Sequence, residues 1–206
     1  EKSILDKIKE ALLQGKSART VEPNGIEEAA LYDAFQLITA KPVLYVCNVD
    51  EASAVNGNKY VDQVRELVKD EQAEVIILSV GAEADITELE SYEERQVFLE
   101  DMGLSEPGSA VLIRAAYKLL NLQTYFTAGV KEVRAWTIQV GDTAPQAAGV
   151  IHTDFEKGFI RAEVIAFEDY SNLGTEAKCK EAGKLRVEGK EYIVKDGDVM
   201  HFRFNV

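Results

Sequence analysis

Apolar side chains recur at helical spacing near the start of the chain. The positions that share one face there are Ile4, Leu5, Ile8, Leu12 and Leu13. They repeat every three to four residues before Gly15, which predicts an amphipathic helix over residues 3–14. Asn24 followed by Glu27 offers a cap for a second helix. The apolar face of that second helix would hold Ala30, Leu31, Ala34, Phe35 and Ile38.

Two short apolar runs further on are typical of buried strands. They cover residues 42–47 and 74–79, and the break Asn56-Gly57 and a helical pattern of Val61, Val64, Leu67 and Val68 lie between them. This strand–helix–strand order predicts a parallel α/β unit. Ligands of such units bind at the carboxyl ends of the strands. Residues 82–121 then show helical patterns, of which the strongest is Leu112, Ala115, Ala116, Leu119 and Leu120.

From about Thr124 the apolar period becomes that of strands. Val133, Ala135 and Thr137 alternate with Arg134, Trp136 and Ile138. Near the end, residues 192–194 and 199–204 flank the turn Lys195-Asp196-Gly197-Asp198, which predicts a β-hairpin. A short helix is expected near residues 154–158. The pattern therefore indicates an α+β domain after the α/β unit.

Composition narrows the class of protein without naming a function. A chain of 206 residues suits one or two domains. Its apolar runs are far shorter than the roughly 20 residues of a membrane helix, and residues 1–6 lack the features of a secretion signal. Cys47 and Cys179 give neither a disulfide framework nor metal spacing. We therefore expect a cytoplasmic protein that does not associate with membranes.

The charge is acidic overall but unevenly spread. Residues 124–206 hold 11 Lys and Arg against 13 Asp and Glu, so most of the formal charge of −13 lies in the first 123 residues. Broad attraction to nucleic acid is thus not expected. A local basic set could still meet RNA phosphates; it consists of Lys178, Lys180, Lys184, Arg186 and Lys190. The alternative is a solvated face, because acidic residues are interleaved with these cations.

A polar turn follows each predicted strand of the α/β unit. Asn48-Val49-Asp50-Glu51 follows the first, and it is typical of a nucleotide-base recognition turn with an altered last position. In P-loop GTPases that position is an Asp that accepts two N–H groups of guanine. Glu51 stands there in this chain, which removes the guanine preference, and the amide of Asn48 could pair with N6 and N7 of adenine. Ser79-Val80-Gly81 follows the second strand, where backbone N–H groups would touch the base. The alternative is an ordinary polar strand end.

Longer sequence blocks carry a resemblance to a known family. They are Leu37-Ile38-Thr39-Ala40-Lys41-Pro42, Tyr125-Phe126-Thr127-Ala128-Gly129, Glu132-Val133-Arg134-Ala135-Trp136-Thr137, Ala144-Pro145-Gln146-Ala147-Ala148-Gly149, Ile151-His152-Thr153-Asp154-Phe155 and His201-Phe202-Arg203-Phe204-Asn205-Val206. Together with the base turn, these blocks closely resemble the YchF family of Obg-like ATPases over essentially the whole chain. One departure is that Ser79-Val80-Gly81 differs from the commoner Ser-Ala-Lys or Ser-Ala form.

The resemblance implies a fold class and a domain order. Residues 1–20 would be part of a helical, coiled-coil insertion, and residues 21–123 the C-terminal half of a P-loop nucleotide-binding domain with flanking helices. Residues 124–206 would form a TGS domain, an α+β domain with the ubiquitin-like β-grasp fold. The resemblance also implies a ribosome or ribosomal RNA as partner, with ATP and Mg²⁺ as cofactors of the complete protein.

The phosphate-binding motif is missing from these residues. No G-x-x-x-x-G-K-[ST] occurs in the sequence, so the backbone nest, the phosphate lysine and the Mg²⁺ hydroxyl are absent. We expect no bound cofactor and no hydrolysis by the chain alone. Two hypotheses remain: an ATPase whose phosphate site lies elsewhere in the complete protein, or a binding module that acts through its TGS surface without catalysis.

Other chemistry-bearing residues are weaker candidates. His152 and Asp154 lie two apart without a nucleophile, so catalysis there is not expected. His201 alternates with apolar strand residues, and Trp136 either fills a core or stacks on a base. Neither histidine has a metal-ligand pattern around it. If the apolar stripe of helix 3–14 is exposed, it would support a homodimer.

Overall fold

The computed structural model describes residues 2–71 and 73–205 and places them in two units, Glu1–Leu120 and Asn121–Val206. The helices of the first unit are α1 (Lys2–Leu13), α2 (Gly25–Ala34), α3 (Lys59–Val68), α4 (Val80–Glu88), α5 (Tyr92–Asp101) and α6 (Gly108–Leu119). Its strands are β1 (Leu44–Asn48) and β2 (Glu74–Leu78). Among the described residues, no helix is both long and apolar enough to cross a bilayer.

The predicted first helix is confirmed, but its apolar stripe is only partly exposed. Ile4 and Ile8 are buried against Ala18 and the side chains of α2 and the segment after it. Leu5, Leu12 and Leu13 remain exposed on the same helix. The stripe therefore packs within its own unit through Ile4 and Ile8, and its other positions border a shallow apolar cleft.

The start of α2 differs from the predicted capping arrangement. Asn24 precedes the helix, but its side chain makes no capping hydrogen bond. Its backbone N–H instead donates to the carboxylate of Glu28 at 2.8 Å, so the prediction of Glu27 was wrong. Gly25 has a φ of +75°, a left-handed turn that favours glycine and brings Glu28 to this position. Lys7 donates to the same carboxylate at 2.9 Å, which ties α1 to α2.

The parallel strand–helix–strand unit is confirmed. β1 and β2 pair in parallel from Leu44 opposite Glu74 to Asn48 opposite Leu78. β1 begins two residues later than predicted, since Pro42 has no N–H to donate to a ladder. α6 covers this sheet through Ala115, which packs against Ile76 and Leu78. Both strands therefore end at the same edge.

In the described part of the second unit, a five-stranded sheet has the order β4-β3-β7-β5-β6. Its strands are β3 (Leu122–Ala128), β4 (Val133–Gln139), β5 (Phe159–Ile165), β6 (Arg186–Glu188) and β7 (Val199–Phe204). Its helices are α7 (Ala144–Ile151), α8 (Thr153–Lys157), α9 (Phe167–Leu173) and α10 (Glu176–Glu181). The short helix predicted near residues 154–158 is confirmed as α8. The core on one face joins Tyr125, Ala147, Val164, Met200 and Phe202.

The predicted C-terminal hairpin was wrong. β7 pairs with β3 and β5, whereas the segment before the turn makes only an isolated bridge from Ile193 to Thr143. The turn itself is held against β3, because Asp196 accepts the N–H of Thr124 and Gly197 donates to the carbonyl of Thr124, each at 2.8 Å. These bonds direct β7 to the side of β3 instead of folding it back on residues 192–194.

Candidate functional site

The two polar turns predicted to act together lie side by side. Asn48 ends β1 opposite Leu78 of β2, and Val49 donates its N–H to the carbonyl of Leu78 at 2.8 Å. α4 begins at Val80, directly after β2. The parallel register therefore brings Asn48–Glu51 to the first turn of α4, as expected for strands that end at one edge.

The side chain of Asn48 joins the two turns. Its Oδ1 accepts the backbone N–H of Val80 at 3.1 Å. Because a backbone N–H requires an acceptor, this contact assigns the amide oxygen to the side of α4 and its Nδ2 to the opposite side. Asn48 thus fixes the start of α4 and presents an N–H₂ donor to the exposed edge of the site.

Glu51 and Asp50 have separate roles in the first turn. Asp50 accepts the N–H of Ser53 at 2.9 Å and so caps the 3₁₀ turn Glu51–Ser53. The carboxylate of Glu51 is exposed and lies beside Gly81, with Oε1 3.9 Å from the place that a Cβ on Gly81 would occupy. A carboxylate next to the N-terminus of a helix is in favourable electrostatic surroundings. Glu51 is therefore the acceptor that this edge offers to a ligand.

α4 is held in place from both ends of its first turn. Ser79 caps it, since Oγ accepts the N–H of Ala82 at 3.4 Å. Glu83 accepts the N–H groups of Gly108 and Ser109, at 2.6 and 3.0 Å. Glu83 of α4 thus caps the N-terminus of α6. Pro107 precedes α6 and makes no side-chain cap, so a carboxylate from α4 satisfies these N–H groups.

The chemistry of this edge suits recognition of a purine edge. It combines the amide of Asn48 with the carboxylate of Glu51 beside Gly81, in the first turn of α4, where the N–H groups of Val80 and Ala82 already donate to Asn48 and Ser79. These groups can hold a planar base, but they cannot position a phosphate chain, because the sequence has no phosphate-binding loop. The candidate site thus lacks the parts that phosphoryl transfer requires.

The predicted basic set of the second unit is only partly free. Lys178 and Lys180 are exposed on α10, and Lys190 is exposed in the turn after β6. Lys184 forms an ion pair with Asp169 at 3.1 Å. Arg186 lies 3.5 Å from the buried Asp198 and donates to Tyr192. Lys184, although exposed, and Arg186 therefore pair with acids of their own unit. In the described part of the chain, the other three cations are exposed and form no ion pair.

Sequence reasoning missed the polar cluster around Asp198. The hydroxyl of Tyr192 donates to Asp198 at 2.7 Å, and the N–H of Lys195 donates to the same carboxylate at 2.9 Å. Burial, with the Asp198 carboxylate beside it, raises the pKa of Tyr192 to about 12. No spacing in the sequence marks these residues as partners. Their contacts explain why the segment before β7 is a fixed loop.

The remaining candidate residues make contacts within the second unit itself. His152 precedes α8 and accepts the N–H of Asp154 at its Nδ1, 3.2 Å away. Trp136 packs against the core with Arg134 over its ring, 4.0 Å from guanidinium carbon to centroid. His201 is exposed on β7 opposite Glu163. Within residues 2–71 and 73–205, no three His, Cys, Asp or Glu side chains come together as metal ligands.

Comparison with known proteins points to one family. The family model described as YchF-GTPase_C, protein of unknown function (DUF933), matches residues 122–205. The "Ribosome-binding ATPase YchF" of Haemophilus ducreyi is 56% identical over 206 residues, which are 100% of this chain and 56% of that protein. "Obg-like ATPase 1" of Caenorhabditis elegans is 40% identical over 207 residues, or 100% of this chain and 52% of that protein.

A solved structure agrees with this match. The structure of the Schizosaccharomyces pombe YchF GTPase superposes with a TM-score of 0.83 at 34% identity, over 98% of this chain and 53% of that one. The chain spans about half the length of the curated relatives it matches. The names of these relatives differ between ATPase and GTPase. The nucleotide preference of the candidate base site is therefore the property that most needs a test.

Proposed function

This chain belongs to the YchF family, and we propose from this membership that it is part of a ribosome-associated protein that binds and hydrolyses ATP. In this proposal the base is held at the edge formed by β1, β2 and α4. ATP phosphates and Mg²⁺ are held by parts of the complete protein outside these 206 residues. The present chain contributes base selection and a surface for the partner.

The observation that carries this proposal is the junction of the two polar turns. Asn48 holds the first turn of α4 through Val80 at 3.1 Å, and the carboxylate of Glu51 lies beside Gly81. The Nδ2 of Asn48 suits the N7 acceptor of a purine. Glu51 is one methylene longer than the Asp that pairs with two guanine donors, so its carboxylate is displaced from the guanine edge. The exocyclic amine of adenine then becomes the preferred donor.

The domain order that we propose follows the two units. Residues 1–20 belong to a helical insertion, residues 21–123 to the later half of a P-loop nucleotide-binding domain, and residues 124–206 to a TGS domain. The parallel pair β1–β2 with covering helices supports the assignment of residues 21–123. A mixed sheet with β3 and β7 parallel as neighbours supports the β-grasp assignment for the second unit.

Base selection is tested by competition in the complete protein. Glu51→Asp should shift the ratio of ATP to GTP affinity toward GTP by tenfold or more, since a bidentate base contact contributes roughly 1–3 kcal/mol of discrimination. Glu88→Asp, an equal shortening of an exposed acid at the other end of α4, is the matched control and should leave the ratio unchanged. An unchanged ratio in Glu51→Asp would show that Glu51 does not select the base.

Hydrolysis gives a second test with the chain as it stands. Without a phosphate nest, the 206 residues should show no Mg²⁺-dependent ATP turnover, whereas the complete protein should show it. Turnover by the chain that is lost in Asn48→Ala would overturn this part of the proposal.

The second candidate function is a binding module that needs no catalysis. The observation in its favour is that Lys178, Lys180 and Lys190 are exposed in the second unit, which contains its own core. This candidate predicts that the chain binds ribosomes without any nucleotide. Cosedimentation of the chain with ribosomes in the absence of ATP separates it from a function that requires the nucleotide.

A further inference from the structure

A cleft opens inside the sheet of the second unit, between β3 and β7. These neighbouring parallel strands pair at Phe126 and Val199, and the described residues form no further pair between them. A continued parallel ladder would next join Ala128 with His201. Instead, the end of β3 and the start of the β3–β4 loop form one wall of the cleft, and β7 forms the other. The sheet is thus wedged open at this end.

Backbone groups of both strands point into the wedge. Along β3, Gly129 donates to Glu132 on the β4 side at 2.9 Å, whereas Phe126 donates to Asp198 on the β7 side at 2.8 Å. Because alternate residues of a strand bond to opposite neighbours, the backbone N–H and C=O of Ala128 point toward β7. Counting in the same way from Asp198, the backbone N–H and C=O of Phe202 point toward β3. The backbone edge of Ala128 therefore borders one wall of the cleft, and that of the largely buried Phe202 borders the other.

Aromatic side chains form the floor of the cleft. Trp136 lines it from β4, and Phe155 and Phe204 stack on each other with ring centroids 3.7 Å apart. The volume is about 440 Å³, within the range of roughly 300–1,000 Å³ typical of small-ligand sites. A flat, apolar floor beneath in-plane hydrogen-bonding groups fits a planar heterocycle whose edge carries donors and acceptors.

The rim of the cleft has a cationic side chain. Lys131 lines it from the β3–β4 loop, and His201 lines it from β7. Arg134 lies close by, over the ring of Trp136. Glu132 is an acid of the same rim and lies 4.0 Å from Arg134. Arg134 and Glu132 balance each other, so Lys131 leaves the rim with a positive charge, which favours a ligand with a negative group attached to its planar part.

We propose that this cleft binds one unpaired base of single-stranded RNA. The base edge meets the backbone groups of Ala128 and Phe202, one face packs on the aromatic floor, and Lys131 meets the adjoining phosphate. Unstacked bases are the usual targets of sequence-level RNA recognition, and aromatic side chains hold them. The assignment to RNA rests on the ribosome partner proposed above.

The shape of the wedge argues against a peptide as the occupant. An added β-strand must run along an open edge, but the wedge closes at the pair of Phe126 and Val199. It therefore accepts a compact group that ends inside it. A base that projects from a backbone outside the cleft meets this requirement.

Trp136 provides a direct measurement, because it is the one tryptophan in the sequence. The full chain is titrated with single-stranded RNA decamers, and the fluorescence of Trp136 is followed. A matched decamer of abasic ribose phosphates controls for attraction to the backbone alone. We expect a saturable change with the RNA decamers, and at least tenfold weaker binding of the abasic decamer. Equal affinity for the two decamers would overturn the proposal, as would displacement of the RNA by an extended apolar peptide.

Two substitutions test the location on the surface. Lys131→Glu should weaken binding by fivefold or more, and Lys195→Glu, the same charge change at an exposed residue outside the lining of the cleft, should change it less than twofold. His201→Ala should also weaken binding. Exposed positions are chosen so that the fold is retained, which circular dichroism checks. Equal losses in Lys131→Glu and Lys195→Glu would place the contact elsewhere.

Cosedimentation with ribosomes separates this proposal from the one on which it rests. Base-dependent binding of decamers without ribosome binding would contradict the proposed partner and support the cleft. Ribosome binding that Lys131→Glu leaves unchanged, with no response of Trp136 to decamers, would support the partner and contradict the cleft.

Discussion

The two units differ in how they bury their sheets. In the first, β1 and β2 form a two-stranded sheet, and the cluster around Ile76, Leu78 and Ala115 is small. In the second, the sheet has five strands, and one core joins side chains of β3, β5 and β7. Among them, Tyr125, Val164 and Met200 are at most 2% exposed. Since burial of apolar area is the main stabilising contribution, the second unit should be the more stable one.

The same difference extends to the candidate functional groups. The candidate base site of the first unit depends on polar contacts at strand ends, such as that between Asn48 and Val80, with little core behind them. The second unit contains its own core and presents a cleft and exposed cations. The first unit is thus suited to a site that is completed by further residues, and the second to a surface that acts by itself.

The largest expected effect comes from emptying the core of the second unit. Met200→Ala removes a side chain that is 2% exposed and should lower the free energy of unfolding of that unit by about 2–5 kcal/mol. Denaturant unfolding followed by Trp136 fluorescence reports this unit, because Trp136 lies in it. Leu78→Ala in the first unit is the control and should leave the Trp136 midpoint in place. A shift of that midpoint by Leu78→Ala would show that the units unfold together.

A smaller effect is expected from the contact that joins the polar turns. Asn48→Ala leaves the N–H of Val80 without its acceptor, and such a loss costs about 1–3 kcal/mol where water does not replace it. Hydrogen exchange at the amide of Val80 should become faster, whereas Asp50→Ala should change exchange at Ser53 and not at Val80. Unchanged exchange in Asn48→Ala would mean that the contact does not hold α4.

The contact between α4 and α6 should contribute slightly less. Glu83→Gln removes one of the two acceptor oxygens at the N-terminus of α6, and losing a helix cap costs about 0.5–2 kcal/mol. Exchange at Gly108 and Ser109 should accelerate. Glu88→Gln, an equal loss of charge at the far end of α4, should leave the exchange rates of both amides unchanged. If Glu88→Gln accelerates exchange at Gly108 and Ser109 as much as Glu83→Gln does, the effect comes from the lost charge and not from the lost cap.

The smallest effect concerns the acid side of the pH range. The backbone N–H of Asn24 and the ammonium of Lys7 lower the pKa of Glu28 from 4.5 to about 2. A lowered folded-state pKa stabilises the fold above pH 4.5, and this contribution is lost as the pH falls toward 2. Glu28→Gln should therefore reduce the difference between melting temperatures at pH 5 and pH 2. Glu27→Gln, at the neighbouring exposed acid, should leave that difference as it is.

Local patterns predicted much of the fold. The helix of residues 3–14, the parallel pair of strands and the short α8 follow from apolar spacing, which local sequence determines. The hairpin of residues 192–204 could not be predicted correctly, because bonds of Asp196 and Gly197 to Thr124 span more than 70 residues. Long-range contacts override the local turn signal at that place.

The candidate site likewise combines features that the local sequence predicts with features that only long-range contacts create. The meeting of Asn48–Glu51 with Ser79–Gly81 could be predicted, since parallel strands end at one edge. The contact of Glu83 with the N-terminus of α6 could not be predicted, because it joins residues 25 or more apart in the sequence. The cleft between β3 and β7 depends on where a ladder stops, and no residue pattern marks that point. The pairing of Lys184 and Arg186 with acids likewise arises only in the fold.

The central proposal is that the second unit contacts the partner while the first unit contributes to nucleotide binding. Cosedimentation of the chain with ribosomes across a salt series tests it most directly. We expect the chain to pellet with ribosomes at low salt and to pellet less as the salt concentration rises. The double variant Lys178→Glu, Lys180→Glu should pellet less than the unchanged chain, whereas Asn48→Ala should pellet as well as the unchanged chain. Absence of pelleting at low salt, or pelleting that requires Asn48, would contradict the account and place the partner contact outside the second unit.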